Sequence, residues 1–377
     1  MKTDQKHLHP LKFIPVSAKR PWGDHRLATR WNKPFDPQET IGESWEISGF
    51  EDDSSLVAEG YLAENALYDI IETYMGDIVG EELYKCFGNE FPLLIKLLDV
   101  QEKLSLQVHP DDETAFDRHN CYGKNEAWYI LDAEPGAKIY MGFNRDMDPN
   151  EFYYRCKEGR VLDVLNVIEP KPGDFFFIEA GTVHSAEGGI VIAEVQQLSD
   201  VTYRLYDWGR ELNPATRRET HLETAYDCIN YKAYDPEHYF VPAEQKAPLL
   251  TQNKYFTINR LDLKNSYHIY TDQYQSFILY FALQGEAVIT PSKNQEQYTI
   301  RRGEWILVPA AYPDFVLSGT VPDTQVLEVY IKLEEEKDSY IEEEAGHDHE
   351  HDHKHDHEHD HEHDHEHCHC HDHGNEN

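Results

Sequence analysis

At residues 171–184 the chain reads Lys-Pro-Gly-Asp-Phe-Phe-Phe-Ile-Glu-Ala-Gly-Thr-Val-His, and at residues 301–314 it reads Arg-Arg-Gly-Glu-Trp-Ile-Leu-Val-Pro-Ala-Ala-Tyr-Pro-Asp. Each stretch has a basic residue, a glycine, an acidic residue, four apolar residues and a turn. This pattern indicates a tight turn at the glycine and a short buried strand that places one residue just past its end. That residue is His184 in the first stretch and Asp314 in the second. We predict a duplicated β-rich unit, although any two strand-turn units can share such a pattern.

A second informative stretch is Leu-Ser-Leu-Gln-Val-His-Pro at residues 104–110. Because alternate residues of a strand point to the same face, Ser105, Gln107 and His109 are expected on one side. A strand that turns a hydroxyl, an amide and an imidazole to one side either lines a site or faces solvent. The second β region has no Gln-x-His pair upstream of Asp314, so we predict a metal site only in the first β region.

Four side chains form a candidate metal set: Gln107, His109, Glu126 and His184. Two imidazoles, one carboxylate and one amide oxygen suit a divalent metal with room for substrate. Zn²⁺ is the first choice, and Fe²⁺, Mn²⁺ and Co²⁺ stay open because the set mixes nitrogen and oxygen. The alternative is that His109 is a turn histidine before Pro110 and that His184 lies on the surface.

Two charged residues follow His184 at intervals of ten residues. Glu194 lies in the apolar run Ile-Ala-Glu-Val, where a carboxylate can have a raised pKa and act as a general base. Arg204 can hold a phosphate or stabilise an oxyanion. A buried Glu–Arg ion pair with a structural role is the alternative.

Two lysines extend this candidate site. Lys96 interrupts the apolar run Pro-Leu-Leu-Ile-Lys-Leu-Leu, and Lys124 lies two residues before Glu126. A lysine in an apolar strand is most often an edge residue whose ammonium reaches solvent, and a loop lysine is usually solvated. The functional interpretation is that Lys96, Lys124 and Arg204 form a cationic pocket. An acidic protein needs such a pocket in order to bind an anionic substrate.

The net charge of −37 argues against nucleic acid and anionic membranes as partners. The N-terminus is polar and no run approaches the 18 apolar residues of a membrane span, so we predict a cytoplasmic protein. The cysteines have no disulfide-like spacing. We expect a monomer or a weak homo-oligomer.

The predicted organisation is mainly β, with two β-barrel domains and a few helices. The first domain covers residues 1–208 and includes a helical segment at about 62–86, where apolar residues recur at helical spacing. A linker at residues 209–245 is rich in charge and X-Pro pairs, and residues 246–335 form the second, metal-free β domain.

The C-terminal tail, residues 336–377, has a different composition. Histidine occupies every odd position from 347 to 373, interleaved with Asp, Glu, one Lys, Cys368 and Cys370. Without apolar residues to bury, this tail is predicted to be disordered. Its imidazoles, carboxylates and thiols are expected to bind Zn²⁺, Ni²⁺ or Cu²⁺ weakly at several places. It is either a metal reservoir that helps to load the barrel site or a solubilising tail with incidental affinity.

Several ordered motifs together closely resemble the type I mannose-6-phosphate isomerases, in particular their short bacterial form. They are Leu-Ile-Lys-Leu-Leu-Asp, Leu-Ser-Leu-Gln-Val-His-Pro-Asp-Asp, Gly-Lys-Asn-Glu-Ala-Trp-Tyr, Ala-Gly-Thr-Val-His and Asp-Val-Thr-Tyr-Arg-Leu-Tyr-Asp. The resemblance runs from about Phe13 to Lys332 and leaves out the tail. The large helical insertion of longer members is missing between Glu126 and His184.

This resemblance implies a fold of two cupin-type (jelly-roll) barrels and one Zn²⁺ in the first barrel. It also implies interconversion of mannose 6-phosphate and fructose 6-phosphate through a cis-enediol. By motif, the zinc ligands would be Gln107, His109, Glu126 and His184. Lys96, Glu194 and Arg204 would be catalytic, and Ser105 and Lys124 would bind substrate. Alternatives are another sugar-phosphate isomerase, a cupin oxygenase, or a cupin that buffers metal or binds sugar without turnover.

Overall fold

Two pairs of antiparallel sheets form the chain, which a computed structural model describes over residues 8–215, 217–292 and 296–333. The mainly β class is confirmed. The strands of the first half are β1 (Val16–Ala18), β2 (Glu43–Ile47), β3 (Leu93–Val100), β4 (Leu106–Val108), β5 (Glu126–Ala133), β6 (Lys138–Phe143), β7 (Leu165–Ile168), β8 (Phe175–Ile178), β9 (His184–Glu187), β10 (Ile190–Gln197), β11 (Tyr203–Tyr206) and β12 (Phe240–Val241).

The second half has the strands β13 (Leu249–Gln252), β14 (Thr257–Asp262), β15 (Tyr267–Ile269), β16 (Ile278–Gln284), β17 (Glu286–Pro291), β18 (Tyr298–Arg301), β19 (Trp305–Val308), β20 (Phe315–Gly319) and β21 (Gln325–Tyr330). The helices are α1 (Arg26–Arg30), α2 (Leu67–Tyr74), α3 (Gly76–Val79), α4 (Glu81–Phe87), α5 (Asp112–His119), α6 (Pro149–Lys157) and α7 (Pro236–Tyr239). None of the helices in the described ranges is long and apolar enough to cross a membrane.

The strand order repeats between the two halves. The first half pairs a seven-stranded sheet, β1-β2-β3-β10-β5-β8-β12, with a five-stranded sheet, β11-β4-β9-β6-β7. In the second half the sheets are β13-β14-β21-β16-β19 and β15-β20-β17-β18. The series β3-β10-β5-β8 thus corresponds to β14-β21-β16-β19, and β4-β9-β6-β7 corresponds to β15-β20-β17-β18. This shared order is what the duplicated sequence unit predicts.

The turn at the start of each repeated stretch is built in the same way. The backbone N–H of Lys171 donates to Asp174 Oδ2 at 2.8 Å, and that of Arg301 donates to Glu304 Oε2 at 2.9 Å. The glycine between them has a positive φ in both turns, +94° at Gly173 and +85° at Gly303. The acidic residue therefore closes the turn, and glycine occupies a conformation that L side chains rarely adopt.

The turn glycine of the second repeat gives a stability prediction. In Gly303→Ala the new Cβ would lie 2.7 Å from the carbonyl oxygen of Trp31. We expect the free energy of unfolding to fall by about 1–2 kcal/mol through backbone strain and by roughly a further 1–3 kcal/mol through steric overlap. Urea unfolding measures the change. The matched control is Gly136→Ala, which has the same φ of +85° and nothing within 4 Å of a Cβ. Equal losses in the two variants would contradict the steric part.

The central strand β3 is buried throughout, and all of its residues except Lys96 and Asp99 are apolar, because both of its faces are covered. Its odd-numbered residues Leu93, Ile95 and Leu97 belong to a core cluster that also contains Ile258 and Leu327 from the second half. On the other face, Leu98 and Val100 pack inside the first half. The face of β3 that is turned to the interior of the first half is therefore apolar at Leu98 and Val100. Lys96, on the same face, is a buried charged residue.

The segment at 209–245, predicted to be a linker, contributes to the packed structure. Leu222, Ala225 and Ile229 are buried in a core cluster of the first half, and Phe240–Val241 forms β12 beside β8. The helices α2, α3 and α4 lie in and next to the predicted helical segment. The division into domains stays a prediction. The predicted tail at residues 336–377 lies outside the described residues.

Candidate metal centre

Three neighbouring strands bring polar side chains together on one sheet. In the register of β11, β4 and β9, Arg204 is opposite Gln107, and Gln107 is opposite His184. Residues directly opposite each other on neighbouring strands project to the same face. Gln107 and His184 are 77 residues apart in the sequence, so this proximity comes from the pairing of β4 with β9.

The facing sheet contributes a second row. Glu194 on β10 lies opposite Lys96 on β3 and opposite Trp128 on β5, while Gln196 lies opposite Glu126. Lys96 is therefore on a central strand and 4% exposed, which excludes the edge-lysine alternative. The rows of the two sheets enclose the residues that the sequence predicted for the site.

His109, Glu126 and His184 form a tight cluster at the centre. Their ligand atoms all lie within 4.8 Å of one another. The Nε2 of His184 lies 3.0 Å from Glu126 Oε1, and the Nε2 of His109 lies 3.4 Å from Glu126 Oε2. All three side chains are 0–1% exposed, so His184 is not a surface histidine. Within the described ranges, this is the group of His, Cys, Asp and Glu side chains arranged for a metal.

Backbone carbonyls fix the tautomers of both imidazoles. The Nδ1–H of His109 donates to the carbonyl oxygen of Val201 at 3.0 Å, and that of His184 donates to Thr182 at 2.9 Å. Because a carbonyl oxygen only accepts, each Nε2 carries its lone pair toward the centre. A hydrogen bond from the second ring nitrogen to a carbonyl is typical of histidine that ligates a metal.

The cluster fits a cation because the Nε2 atoms of His109 and His184 and the oxygens of Glu126 are acceptors that face one another. His109 Nε2 and both oxygens of Glu126 are buried without a hydrogen-bond partner. Acceptors this close repel each other unless a positive charge lies between them. The amide of Gln107 donates to His184 Nε2 at 3.1 Å, and a half-turn of this amide would present its oxygen to the same centre. The four predicted ligands are therefore gathered at one place.

Burial and neighbouring charges shift the pKa values of the groups at this centre. Burial and then the positive charge of Lys124 lower the pKa of His109 to about 3. Burial alone would raise the pKa of Glu126, but Lys124, His109 and His184 hold it well below its usual value. Lys124 lies 3.2 Å from Glu126 Oε2, and the carboxylates of Glu126 and Glu194 hold its pKa above the usual value despite its burial. His109 is therefore neutral and the carboxylate of Glu126 is ionised, the states in which these groups bind metal.

Glu194 is a buried carboxylate on the same face. Trp128 Nε1–H donates to its Oε2 at 2.8 Å, and Lys96 Nζ lies 3.7 Å from its Oε1. Burial and the negative charge of Glu126 raise the pKa of Glu194. Lys96 also donates to Gln196 at 3.1 Å and lies 5.0 Å from the ring centre of Trp45. The structural alternative, an ion pair between Glu194 and Arg204, does not match these contacts.

Arg204 and Ser105 flank the candidate metal ligands. Ser105 is buried two residues before Gln107. Arg204 Nη1–H donates to the carbonyl oxygen of Glu219 at 2.7 Å, while its Nε is buried without a hydrogen-bond partner. Burial and then the charge of Arg218 lower the pKa of Arg204. Arg204 therefore lies beside the cluster with hydrogen-bonding capacity to spare.

Sequence reasoning missed three contacting residues. Trp128 and Trp45 touch Glu194 and Lys96, and Asp207 holds two arginines near Arg204. Trp128 could have been found, because it lies two residues after Glu126 and shares its face. The contacts of Trp45 and Asp207 depend on pairing between distant segments. At the end of the second repeat, Asp314 is exposed and accepts a hydrogen bond from the backbone of Thr271.

The fold and the cluster define a protein of cupin type with a candidate metal centre in its first half. The family model for the phosphomannose isomerase type I catalytic domain matches residues 11–136, and the model for the mannose-6-phosphate isomerase cupin domain matches residues 237–326. The chain belongs to the type I phosphomannose isomerase family. The resemblance, the cupin fold and the isomerase class predicted from the sequence are thereby confirmed.

Individual relatives agree with this family. The chain is 34% identical over 318 residues to the probable mannose-6-phosphate isomerase GmuF of Bacillus subtilis, covering 83% of this chain and 97% of that protein. It is 32% identical over 320 residues to a mannose-6-phosphate isomerase of Streptococcus mutans, covering 82% and 95%. The crystal structure of the mannose 6-phosphate isomerase from Bacillus subtilis is similar with a TM-score of 0.72 at 27% identity, covering 85% of this chain and 99% of that one.

Proposed function

We propose that the chain is a zinc-dependent isomerase that interconverts mannose 6-phosphate and fructose 6-phosphate. The single observation that carries this proposal is the buried set of inward-facing acceptors, His109 Nε2 and both oxygens of Glu126, in a member of this family. Closely spaced buried acceptors without hydrogen-bond partners are suited to a metal ion. The relatives' substrate supports the choice of sugar phosphate.

Gln107, His109, Glu126 and His184 would hold the metal. When bound, Zn²⁺ would polarise the oxygens on C1 and C2 of the sugar. The neutral imidazole of His109 and the ionised carboxylate of Glu126 are in their ligating states, so metal binding requires little deprotonation of these two ligands. Lys124, 3.2 Å from Glu126, fixes the orientation of that carboxylate.

Glu194 is our candidate for the group that moves the proton between C2 and C1. Its Oε2 accepts from Trp128, so Oε1 remains the oxygen available to a substrate. Burial and Glu126 raise the pKa of this carboxyl, which increases its basicity. Lys96, 3.7 Å from Oε1, stabilises the ionised form when no substrate is bound. Removal of the C2 proton would give a cis-enediolate, which carries negative charge on oxygen.

Cationic and hydroxyl groups around Glu194 would bind the substrate and stabilise that charge. Arg204 and Lys96 supply positive charge, and Ser105 and Lys124 supply hydrogen-bond donors. All four lie beside the ligands, with Lys96, Ser105 and Lys124 buried. In a chain with a net charge of −37, this local group of cations supports an anionic sugar phosphate as the substrate.

We place this activity in the cytoplasm, in a monomer or weak homo-oligomer that binds neither nucleic acid nor membrane. The acidic net charge supports the exclusion of both polyanionic partners. The histidine-rich tail would bind additional metal ions weakly. Its 14 histidines and two cysteines between residues 347 and 373 support this proposal, and the same composition also suits a solubilising tail.

Metal removal tests the proposal. We expect the purified chain to form fructose 6-phosphate from mannose 6-phosphate, to lose this turnover after EDTA, and to recover it with one equivalent of Zn²⁺. Fe²⁺, Mn²⁺ and Co²⁺ are tested in the same coupled assay. A chain ending at Ala345 is the control for metal bound by the tail, and the difference in bound metal between the two chains measures that binding. Turnover unaffected by EDTA would contradict zinc dependence, and no turnover in a folded, metal-loaded chain would contradict the substrate.

A further inference from the structure

A second group of charges lies next to the metal centre and is not explained by the ligands. Asp207 is fully buried and accepts hydrogen bonds from two arginines. Arg218 donates through Nε at 3.0 Å and Nη2 at 2.6 Å, and Arg210 donates through Nη2 at 2.7 Å. Together with Arg204, three guanidinium groups surround one carboxylate. The three arginines and Asp207 together carry a net charge of +2, in a chain whose net charge is −37.

Arg218 reaches this position because its segment runs beside β11. The backbone N–H of His221 donates to the carbonyl oxygen of Arg204 at 2.7 Å, and the backbone N–H of Arg204 donates to His221 Nδ1 at 3.1 Å. Arg204 Nη1–H also donates to the carbonyl oxygen of Glu219. Residues 219–221 therefore line the free edge of the sheet that carries the metal ligands, within the segment that composition suggested was a linker.

The position of the group suits the far end of a hexose phosphate. Arg204 lies opposite Gln107 on the adjacent strand, and neighbouring strands are about 4.8 Å apart. A sugar with C1 and C2 at the metal centre carries its phosphate at the other end of the carbon chain, away from the ligands. The two lysines of the site are less suited to this role, because Lys124 and Lys96 are engaged by the carboxylates of Glu126 and Glu194.

We infer that Arg218, held by Asp207, binds the phosphate monoester of the sugar-phosphate substrate, an inference that rests on the proposed function. Asp207 engages Nε and Nη2 of Arg218, so Nη1 stays outside this ion pair. The side chain is 22% exposed, which leaves its guanidinium accessible to a small anion. A guanidinium fixed on one side by a carboxylate is preorganised for a bidentate or charge-assisted contact on the other.

The charge of Arg204 supports the same conclusion. Its Nε is buried without a hydrogen-bond partner, and Arg218 is the charged neighbour that lowers its pKa most after burial. Three adjacent guanidinium groups repel each other, and a dianionic phosphate relieves this repulsion. The unpaired Nε–H of Arg204 and the excess positive charge therefore both suit an anionic ligand.

The test compares Arg218→Gln with Arg217→Gln in the full-length, zinc-loaded chain. Arg217 is the adjacent residue and is exposed, so its substitution removes the same charge without touching Asp207. In Arg218→Gln we expect the KM for mannose 6-phosphate and the inhibition constant of inorganic phosphate to rise by roughly 10- to 100-fold, with kcat within about threefold. Arg217→Gln should leave both constants unchanged, and Arg218→Lys should recover part of the loss.

Two further measurements distinguish a loss of anion binding from misfolding or loss of metal in Arg218→Gln. Metal content and melting temperature of Arg218→Gln show whether the variant is folded and loaded, and recovery by Arg218→Lys distinguishes anion binding from a merely structural role. Unchanged constants in Arg218→Gln, or equal changes in Arg217→Gln, would overturn the inference. If the wild type does not turn over mannose 6-phosphate, the proposed function fails. The inference then depends on inorganic phosphate, which should raise the melting temperature of the wild type more than that of Arg218→Gln.

Discussion

His109→Ala is expected to lose the tightly bound metal and to lower kcat/KM for mannose 6-phosphate by at least roughly 10³-fold. The imidazole is 1% exposed, and its lone pair faces Glu126 Oε2 at 3.4 Å. Alanine removes a ligand and leaves a gap that no neighbouring side chain fills. Metal content after dialysis, measured on a chain ending at Ala345, and the coupled isomerase assay give the two readouts.

The same variant should separate metal binding from folding. In metal-free protein the wild-type cluster places acceptors against acceptors, so His109→Ala should change the melting temperature little. Added Zn²⁺ should raise the melting temperature of the wild type and not that of the variant. The control is His268→Ala, an exposed histidine on β15, the strand that takes the place of β4 in the second half. Full activity in His109→Ala would refute the proposed metal centre.

Glu194→Gln is expected to lower kcat by about 10²- to 10⁴-fold while metal content stays the same. Glutamine keeps the size of the side chain and can still accept the hydrogen bond from Trp128, but it cannot take up a proton. The deprotonation step should slow, and binding should change less than turnover. Exchange of the substrate C2 proton with solvent deuterium, followed by NMR, measures this step apart from overall turnover.

The second half supplies a matched control for this variant. Glu328 on β21 is the buried counterpart of Glu194, since it lies opposite Asn259 on β14 and Tyr280 on β16. Its carboxylate accepts hydrogen bonds from Tyr274, Tyr280 and Asn259, each at 2.9 Å. Glu328→Gln should lower stability by about 1–3 kcal/mol and leave kcat unchanged. Proton exchange at the wild-type rate in Glu194→Gln would assign the base to another group.

Much of the architecture was accessible from local patterns. The repeated glycine–acid turn predicted two similar β units, because a positive φ at glycine and a carboxylate that closes the turn are properties of four consecutive residues. The apolar runs predicted β3 and β10, since burial on both faces leaves little alternation in a strand. Alternation around Gln107 and His109 predicted which side chains share a face, because that face follows from the period of a strand.

The segment predicted to be a linker shows what local patterns leave out. Residues 209–245 are charged and contain three X-Pro pairs, a composition common in loops. Composition does not reveal that Leu222 and Ile229 fill a core cluster, or that Arg218 meets the buried Asp207. Those contacts arise because the segment lies along the edge strand β11, and edge pairing has no signature in the segment's own sequence.

The sequence by itself determined the residue types of the candidate metal centre, the duplicated β unit and the family, because these depend on motif order and on the two-residue period of strands. Only the tertiary structure decided that His109, Glu126 and His184 place their acceptors within 4.8 Å of one another. It also decided that Lys96 is central rather than at an edge, and that Arg204 is joined by Arg218 and Arg210. The physical reason is that strand register and sheet packing join positions far apart in the chain, and those pairings depend on the whole core.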